Sequence, residues 1–272
     1  MKYVSILGCG WLGTPLAKQL LDSGYRVKGS TTDSEKFKEL ERIGVKPYKI
    51  NLSPEINSDY DQDFFEATTL FVMFPPDTRE DIDDYFPYQF ECLMNLIHRS
   101  PIQHIVFISS SCIYPSLNNV VTERDAINPE TKKGKALMRV ERMLQMEPDF
   151  TVTVVRMSEV YGEGRHPGAY LSGKKNIPNG RAPVNLIHQA DAVNVLQRVL
   201  ETPSCKGEVI NVCAPGHPTR EEFYRKAAVD GGFSAPVFLD EPVRSYNVIS
   251  TEKLNRLVNY KFIHDNPYHS YC

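Results

Sequence analysis

The sequence predicts an α/β protein with a doubly wound parallel sheet and a small, irregular C-terminal lobe. Three observations favour this class. Short apolar runs alternate with amphipathic stretches over about the first 160 residues, the first run leads directly into a glycine-rich loop, and the chain after Tyr161 is rich in Gly, Pro, Asn and basic residues. At 272 residues the chain is long enough to bury such a core.

The βα units of the first half follow from the hydrophobic period. Apolar runs of strand length predict six strands, near 2–7, 25–30, 46–50, 69–74, 103–109 and 151–156. The stretches between them predict four helices, near 11–23, 33–43, 80–99 and 131–146. Gly24 and Gly44 stand where helices end, and residues 32–35 (TDSE) have the spacing of a capping box.

The second half changes character. Residues 162–185 predict irregular loops, after which a helix near 191–201 and a strand near 207–213 return to the main sheet. Helices near 219–229 and 251–257 follow. We therefore expect one domain over 1–160, completed by 189–213, and a small lobe made mainly of 161–272.

Composition and charge exclude several classes of partner. There are 31 Lys and Arg against 34 Asp and Glu, a net charge of -3, so no basic field favours nucleic acid or an anionic membrane surface. The longest apolar runs, 70–74 and 105–108, are far shorter than the roughly 20 residues of a membrane helix. The first residues enter a strand and a glycine loop without the pattern of a signal peptide.

The cysteines and histidines form no metal-ligand pattern. Six cysteines are scattered without a CxxC pair, which is typical of reduced thiols and predicts a cytoplasmic protein. No two histidines have i, i+4 spacing beside a carboxylate, and His264 is one of five that belong to no recognisable group. We therefore predict no metal site.

The glycine-rich loop is the strongest functional signal. Residues 8–13 read GCGWLG, which matches GxGxxG between an apolar strand and an amphipathic helix. Gly8 permits a tight turn, Gly10 lets backbone approach a pyrophosphate, and Gly13 lets the helix pack on the strand. With Trp11 and Leu12 between them, these glycines predict a dinucleotide site in a Rossmann-type domain.

The second predicted strand indicates which dinucleotide is preferred. It ends without the acidic residue that accepts hydrogen bonds from the adenosine ribose in NAD sites. The run 27–32 instead offers Lys28 and the hydroxyls of Ser30, Thr31 and Thr32, which suit a 2′-phosphate. We predict NADP, with NAD possible, and Asp33 either reaches the ribose or stabilises the helix dipole.

Several motifs in order carry a family resemblance. They are GCGWLG at 8–13, FISSSCIY at 107–114, RMSEVYGEGR at 156–165, NLIHQAD at 185–191 and NV at 211–212. In this order and spacing the chain resembles the extended short-chain dehydrogenases/reductases, the NAD-dependent epimerase/dehydratase group. The resemblance implies hydride chemistry at a Ser, Tyr and Lys, and a possible homodimer through the helices near 80–99 and 131–146.

Two of the three implied catalytic residues are missing. Alignment on Tyr114 places the Ser of the family at Ser110, but the YxxxK positions hold Lys133 and Leu137. No Tyr lies between Tyr114 and Tyr161, so a shift of register does not restore the motif. If the protein is an enzyme, Tyr114 or Lys133 takes the place of the missing acid.

Three functions remain open at this point. The first is cofactor binding or sensing without standard turnover. The second is an NADP-dependent oxidoreductase or epimerase for a small hydroxyl or carbonyl compound, with a rewired acid and base. The third is a partner-binding protein with a vestigial groove, which the intact glycine loop disfavours.

Further candidates follow from position. Ser109, Ser110 and Ser111 follow the fifth strand, at the sheet edge where open α/β folds bind ligands. By resemblance, Phe74, Pro75 and Pro76 line the cofactor and Arg165 and His166 face the substrate, beside Lys174, Lys175 and Arg181. Asp191 is expected to cap the helix that follows it.

Overall fold

The computed structural model describes residues 2–57 and 59–269. Eleven strands occur in the described part of the chain: β1 (Tyr3–Leu7), β2 (Arg26–Thr31), β3 (Lys46–Lys49), β4 (Thr69–Val72), β5 (His104–Ser110), β6 (Asn119–Val121), β7 (Thr151–Met157), β8 (Glu159–Tyr161), β9 (Leu186–His188), β10 (Val209–Val212) and β11 (Asn247–Ile249). Seven of them form the central sheet, whose carboxyl edge carries the loops of the candidate site.

Seven α-helices connect these strands within the same described residues. They are α1 (Gly13–Asp22), α2 (Phe37–Arg42), α3 (Ile82–Ile97), α4 (Lys132–Gln145), α5 (Gln189–Glu201), α6 (Arg220–Asp230) and α7 (Glu252–Val258). None of the described helices is long and apolar enough to cross a bilayer.

The central sheet has the order β10-β7-β5-β4-β1-β2-β3, and every neighbouring pair is parallel. The chain starts in the middle at β1, moves outward through β2 and β3, and then crosses to β4 on the other side. Strand order therefore reverses between β1 and β4, and a crevice opens there at the carboxyl edge. The predicted doubly wound fold is confirmed.

Two hydrophobic layers cover the sheet. Buried side chains of α1, α2 and α5 pack on one face, where Leu16, Leu40 and Leu196 are among the most enclosed. The other face is covered by α3 and α4, with Phe86 and Phe90 at the centre of an aromatic cluster. Because both faces are covered, the central strands β4 and β5 are largely apolar runs, as in other parallel sheets, whereas β2 and β3 towards one edge carry more polar residues.

The predicted strands and helices are present, and the differences are local. The predicted second helix starts as a 3-10 turn at Ser34–Lys36 before α2, and Asp33 rather than Thr32 caps it by accepting a hydrogen bond from the Glu35 amide. Gly24 and Gly44 have φ of +85° and +91°, as their positions predicted. The three-residue strands β6, β8, β9 and β11 were not predicted because such short segments show no period.

The later part of the chain builds a second, smaller cluster at the carboxyl edge of the sheet. Tyr161, Leu186 and Phe223 pack together there, and the parallel pair β8–β9 connects this cluster to the main domain. α5 and β10 return to the central sheet between these segments. The cluster thus lies against the crevice opened by β1 and β4.

Candidate functional site

A groove runs along the carboxyl edge of the sheet in three connected cavities. We name them after the part of a ligand that the sequence analysis predicts for each: the adenosine cavity, the nicotinamide cavity and the substrate cavity, with volumes of about 490, 320 and 530 Å³. The first two share Gly8, Gly10 and Pro75, and the last two share Ser110 and Ser158. The predicted loops therefore meet at one continuous site.

The glycine loop has the geometry of a phosphate cradle. Gly8 has a φ of +110°, which favours glycine, and a Cβ added to Gly13 would lie 2.3 Å from the carbonyl oxygen of Gly8. A Cβ at Gly10 would meet nothing within 4 Å, so this glycine leaves open space beside the backbone. Since α1 begins at Gly13, the positive end of its dipole faces the same space.

The end of β2 supports this loop. The Ser30 hydroxyl accepts a hydrogen bond from the Gly8 amide at 3.0 Å, and the Ser30 carbonyl accepts one from the Cys9 amide at 2.7 Å. Ser30, Thr31 and Thr32 all line the adenosine cavity. Ser30 therefore has a positioning role that its spacing did not predict.

The lysine suggested for a 2′-phosphate is not the one that the structure places in the cavity. Lys28 is buried, forms a 3.1 Å ion pair with Asp63 and donates to two carbonyl oxygens. That part of the interpretation is wrong, because Lys28 lies three residues back from the end of β2. Lys36 lines the adenosine cavity instead, and its side chain forms no hydrogen bond or ion pair with residues 2–57 or 59–269.

Two carboxylates lie near this end of the groove, and both are engaged in turns. Asp33 accepts a hydrogen bond from the Glu35 amide at 2.9 Å and does not line the adenosine cavity. Asp77 lines it from the opposite wall and accepts a hydrogen bond from the Arg79 amide at 2.9 Å. The end of β2 itself therefore carries no acidic group.

The loop after β4 forms the facing wall. Phe74 and Pro75 line the adenosine cavity, and Pro75 and Pro76 line the nicotinamide cavity. Phe74 is held by stacking on Phe90, with ring centroids 5.4 Å apart. All three residues therefore line the groove, and their contact with a cofactor stays a prediction.

Trp11 joins the glycine loop to the second half of the chain. Its indole Nε1 donates to the carbonyl oxygen of Glu163 at 2.8 Å, and the Arg165 guanidinium lies over its ring at 4.4 Å. Arg165 and Leu12 line the nicotinamide cavity beside Gly10. This position suits a pyrophosphate better than a substrate group.

His166 is placed differently from Arg165. Its Nδ1 accepts a hydrogen bond from the Gly168 amide at 3.1 Å, and its ring packs against Phe233. It lines none of the three cavities. The remaining cations of this segment are exposed, and Arg181 pairs with Asp240.

The serines at the carboxyl end of β5 line the groove above a buried charge network. Ser109 lines the nicotinamide cavity and donates to the Glu141 carboxylate at 2.5 Å, and Arg156 lies 2.7 Å from that carboxylate. Ser110 faces both the nicotinamide and the substrate cavity, and Ser111 faces the substrate cavity. Both remain candidates for contact with a ligand.

Tyr114 belongs to the same network and not to the groove. Its phenol donates to Asn211 at 2.6 Å and accepts from Arg156 at 3.1 Å. Burial raises the pKa of Tyr114 to about 12, although Arg156 acts in the opposite direction. This enclosed phenol lines none of the three cavities, and the structure gives it no route to a substrate.

The positions of the missing YxxxK pair are on α4. Leu137 lines the nicotinamide cavity, so its wall is apolar where the family has a lysine. Lys133 is exposed in the first turn and lines no cavity of the groove. Burial raises the pKa of the Cys112 thiol, while Ser110 and Lys133 act to lower that pKa. Lys133 thus lies near the substrate cavity without facing it.

The substrate cavity contains functional groups that the sequence analysis did not identify. It is lined by the ionisable residues Glu159, Arg220, Tyr224 and Cys112, together with Asn185 and the serines Ser110, Ser111 and Ser158. These residues come from β5, β8, α6 and the loops beside them, and the pairing of β8 with β9 helps to bring them together. Glu159, Cys112 and Asn185 lie in motifs that could have drawn attention to them, whereas Arg220 and Tyr224 lie in none.

Asp191 has a different role from the one predicted. His188 caps α5 by accepting a hydrogen bond from the Ala190 amide at 3.2 Å, so the prediction that Asp191 is the cap is wrong. Asp191 is fully buried and accepts hydrogen bonds from Tyr260, Ile263 and His264 at 2.7, 2.8 and 2.9 Å. Its carboxylate therefore ties the segment after α7 to α5.

His264 also belongs to a group that its sequence neighbours did not indicate. Its ring lies against that of His188, with centroids 3.8 Å apart, and both rings have nitrogens near the Asp191 carboxylate. Since 76 residues separate the two histidines in sequence, from 188 to 264, no local spacing could predict this contact.

Comparison with known proteins agrees with the fold and the glycine loop. The model of the NAD dependent epimerase/dehydratase family matches residues 4–213. Protein YeeZ of Escherichia coli K12 is 34% identical over 242 residues, which is 88% of this chain and 87% of YeeZ.

Two solved structures illustrate the similarity in fold. A functionally unknown conserved protein from Silicibacter pomeroyi DSS is 19% identical, with a TM-score of 0.80 over 99% of this chain and 96% of the other. UDP-glucuronic acid 4-epimerase from Bacillus cereus, solved in complex with NAD, is 17% identical, with a TM-score of 0.81 over 100% and 96%. With the family model matching more than three quarters of its length, this chain belongs to the NAD dependent epimerase/dehydratase family.

Proposed function

We propose that this protein binds NADP(H), and NAD(H) more weakly, along the groove, and oxidises or reduces a small hydroxyl or carbonyl compound in the substrate cavity. The observation that carries the proposal is the continuity of the three cavities from Lys36 to Arg220. A groove that only holds a dinucleotide does not need the third cavity.

The residues present fit a dinucleotide phosphate. Gly10 leaves space for the pyrophosphate beside the N-terminus of α1, and Arg165 supplies a cation beside it. At the other end, Thr31, Thr32 and Lys36 offer hydroxyls and a positive charge, and no carboxylate at the end of β2 would repel a 2′-phosphate. The bound nicotinamide would supply or accept a hydride.

The substrate cavity favours a compound with an anionic group. Arg220 supplies a guanidinium to its lining, and Asn185 and the serines supply neutral hydrogen-bonding groups. An acidic, sugar-like hydroxyl or carbonyl compound matches this lining. The Bacillus cereus epimerase has also been solved with UDP-glucuronic acid, a compound of this kind.

One observation favours a second function, cofactor sensing without turnover. Leu137 and Lys133 replace the pair that carries out proton transfer in the resembling enzymes. A protein of this kind would bind the dinucleotide and change its affinity for a partner with redox state. It would turn over no substrate.

Thermal unfolding with each of NADPH, NADP, NADH and NAD at about 1 mM tests the binding step, because a ligand of the folded state alone raises stability by RT ln(1 + [L]/Kd). We expect the largest rise with the NADP pair. No rise with any of the four would contradict cofactor binding, and a larger rise with NADH would contradict the choice of cofactor. Consumption of NADPH with a panel of acidic aldoses and 2-oxo acids then separates turnover from sensing.

A further inference from the structure

The substrate cavity contains one carboxyl group, that of Glu159. Backbone contacts on both sides of Glu159 fix its place in the structure. The amide of the preceding Ser158 donates to the carbonyl oxygen of Val212 at 2.9 Å, and Glu159 pairs with Leu186 at the start of the β8–β9 ribbon. Glu159 is therefore held on regular structure and not on a loose loop.

Ser158 marks the junction between the two ligand cavities. It lines both the nicotinamide and the substrate cavity and is only 3% exposed. Its hydroxyl forms a hydrogen bond with the buried Cys213 thiol, which holds this junction in place. Because Glu159 is the next residue and lines only the substrate cavity, its carboxyl lies on the substrate side of that junction.

The surroundings of Glu159 favour a carboxyl that holds a proton. The Glu159 side chain is exposed to the cavity, where partial desolvation raises its pKa, and Arg220 lowers that pKa by a smaller amount. Tyr224 and Tyr170 are also close enough for the charge on Glu159 to raise the pKa of each phenol, after burial itself. A carboxyl whose pKa is raised keeps its proton to a higher pH than an ordinary glutamate, which suits a group that gives a proton to a substrate.

The other ionisable groups of the cavity suit this task less well. Burial raises the pKa of Tyr224 and of Cys112, so both remain protonated at neutral pH and do not accept a proton. Arg220 remains charged at any working pH. Among the ionisable groups that line this cavity, the Glu159 carboxyl is thus the one that can both donate and accept a proton.

We propose that Glu159 is the catalytic acid and base of this protein, in place of the tyrosine and lysine that the YxxxK positions lack. This inference rests on the proposed function. In the direction of reduction, the O–H bond of the Glu159 carboxyl breaks and its proton passes to the carbonyl oxygen of the substrate, while a reduced nicotinamide dinucleotide supplies the hydride to the carbonyl carbon. In the reverse direction the Glu159 carboxylate takes the proton of the substrate hydroxyl.

The experiment compares the wild type with Glu159→Gln, Glu159→Asp and the control Glu252→Gln, which removes an exposed carboxyl in the first turn of α7. NADPH consumption is followed with acidic aldoses and 2-oxo acids as probes. We expect Glu159→Gln to lower kcat by about 10²–10⁴-fold, with the nucleotide-dependent rise in unfolding temperature unchanged. Glu159→Asp should retain part of kcat, and the control should keep all of it.

A second readout does not depend on turnover. In protein labelled with ¹³C at the glutamate carboxyl, the resonance that Glu159→Gln removes should titrate at higher pH than the other glutamates. Titration together with the others would overturn the proposal, and so would full kcat in Glu159→Gln. An absence of turnover in the wild type, with the raised titration intact, would instead contradict the proposed oxidoreduction.

Discussion

The carboxylate of Glu141 and the guanidinium of Arg156 lie 2.7 Å apart beneath the serines of the groove, with side-chain exposures of 3% and 8%. The pair is extended by hydrogen bonds, to Ser109 on one side and to Tyr114 on the other. It joins α4 to β7 directly under the nicotinamide cavity. The shape of that part of the groove therefore depends on one buried pair of charges.

Glu141→Gln should destabilise the protein by about 3–5 kcal/mol, because Arg156 then stays buried without a countercharge. Urea unfolding measures the change, and Glu39→Gln, on the exposed surface of α2, is the control. The double variant Glu141→Leu with Arg156→Met should recover much of the loss, since it removes both charges. Equal stability of Glu141→Gln and wild type would contradict the role of the pair.

Gly13→Ala and Gly10→Ala should fail in different ways. The Cβ of Gly13→Ala would lie 2.3 Å from the Gly8 carbonyl oxygen, so this variant should unfold at lower temperature even without a ligand. The Cβ of Gly10→Ala would meet nothing within 4 Å, so this variant should unfold at the wild-type temperature. Nucleotides should no longer raise that temperature, because the methyl group occupies the space of the pyrophosphate. A normal rise in Gly10→Ala would show that the dinucleotide does not lie against this loop.

Lys36→Glu should weaken NADPH binding by at least about tenfold and leave NADH binding nearly unchanged, because only NADPH carries a 2′-phosphate near the side chain. Isothermal titration with both nucleotides measures the change. Lys38→Glu, two residues on and exposed outside the cavity, makes the same change of charge and should bind both as the wild type does. Parallel losses in the two variants would indicate a general electrostatic effect.

Arg165→Ala should weaken all four nucleotides by a similar factor, about tenfold, because its guanidinium faces the part of the groove that they share. The expected pattern thus differs from that of Lys36→Glu. Arg181→Ala removes an exposed arginine paired with Asp240 and should not alter affinity. A loss of NADPH binding alone in Arg165→Ala would place this residue at the 2′-phosphate instead.

Stability should fall in mild acid because of His104. Its ring is buried beside Thr153, and burial lowers its pKa from 6.5 to about 4, with a smaller contribution from Lys206. Between pH 4 and pH 6.5 the unfolded chain binds a proton at His104 and the folded chain does not. The free energy of unfolding therefore has its full value above pH 6.5 and falls as the pH drops towards 4.

The shift in the pKa of His104 corresponds to a loss of about 3 kcal/mol in the free energy of unfolding between pH 6.5 and pH 4. Urea unfolding from pH 7 to pH 4 measures it, and His104→Gln should flatten the dependence, whereas His269→Gln, at an exposed position, should not. An unchanged slope in His104→Gln would assign the acid sensitivity to other groups.

Local signals account for what could be predicted. The succession of strands and helices along the chain follows from hydrophobic period, and the glycine loop follows from three glycines with distinct steric roles, so both depend on residues that lie close together in sequence. Lys28 shows the limit of such reasoning. Knowing that a lysine lies in a strand does not show how far it stands from the carboxyl edge, and at about 3.3 Å per residue Lys28 is roughly 10 Å short of it.

The substrate side of the groove depends on contacts that no local pattern contains. Glu159 enters the cavity because β8 pairs with β9, about 27 residues later in the chain, and Arg220 joins it from the start of α6. Asp191 is similar, since its partners are 69 to 73 residues away. Position in a motif could identify these residues as candidates but could not assign their contacts.

The hydrogen bonds to Asp191 also have a consequence for folding during translation. Tyr260 and His264 leave the ribosome long after Asp191, so the nascent α5 carries a carboxylate whose three donors do not yet exist. Burying that charge before they arrive would be costly. We therefore expect α5 to pack fully on the sheet only after the segment that follows α7 has been synthesised.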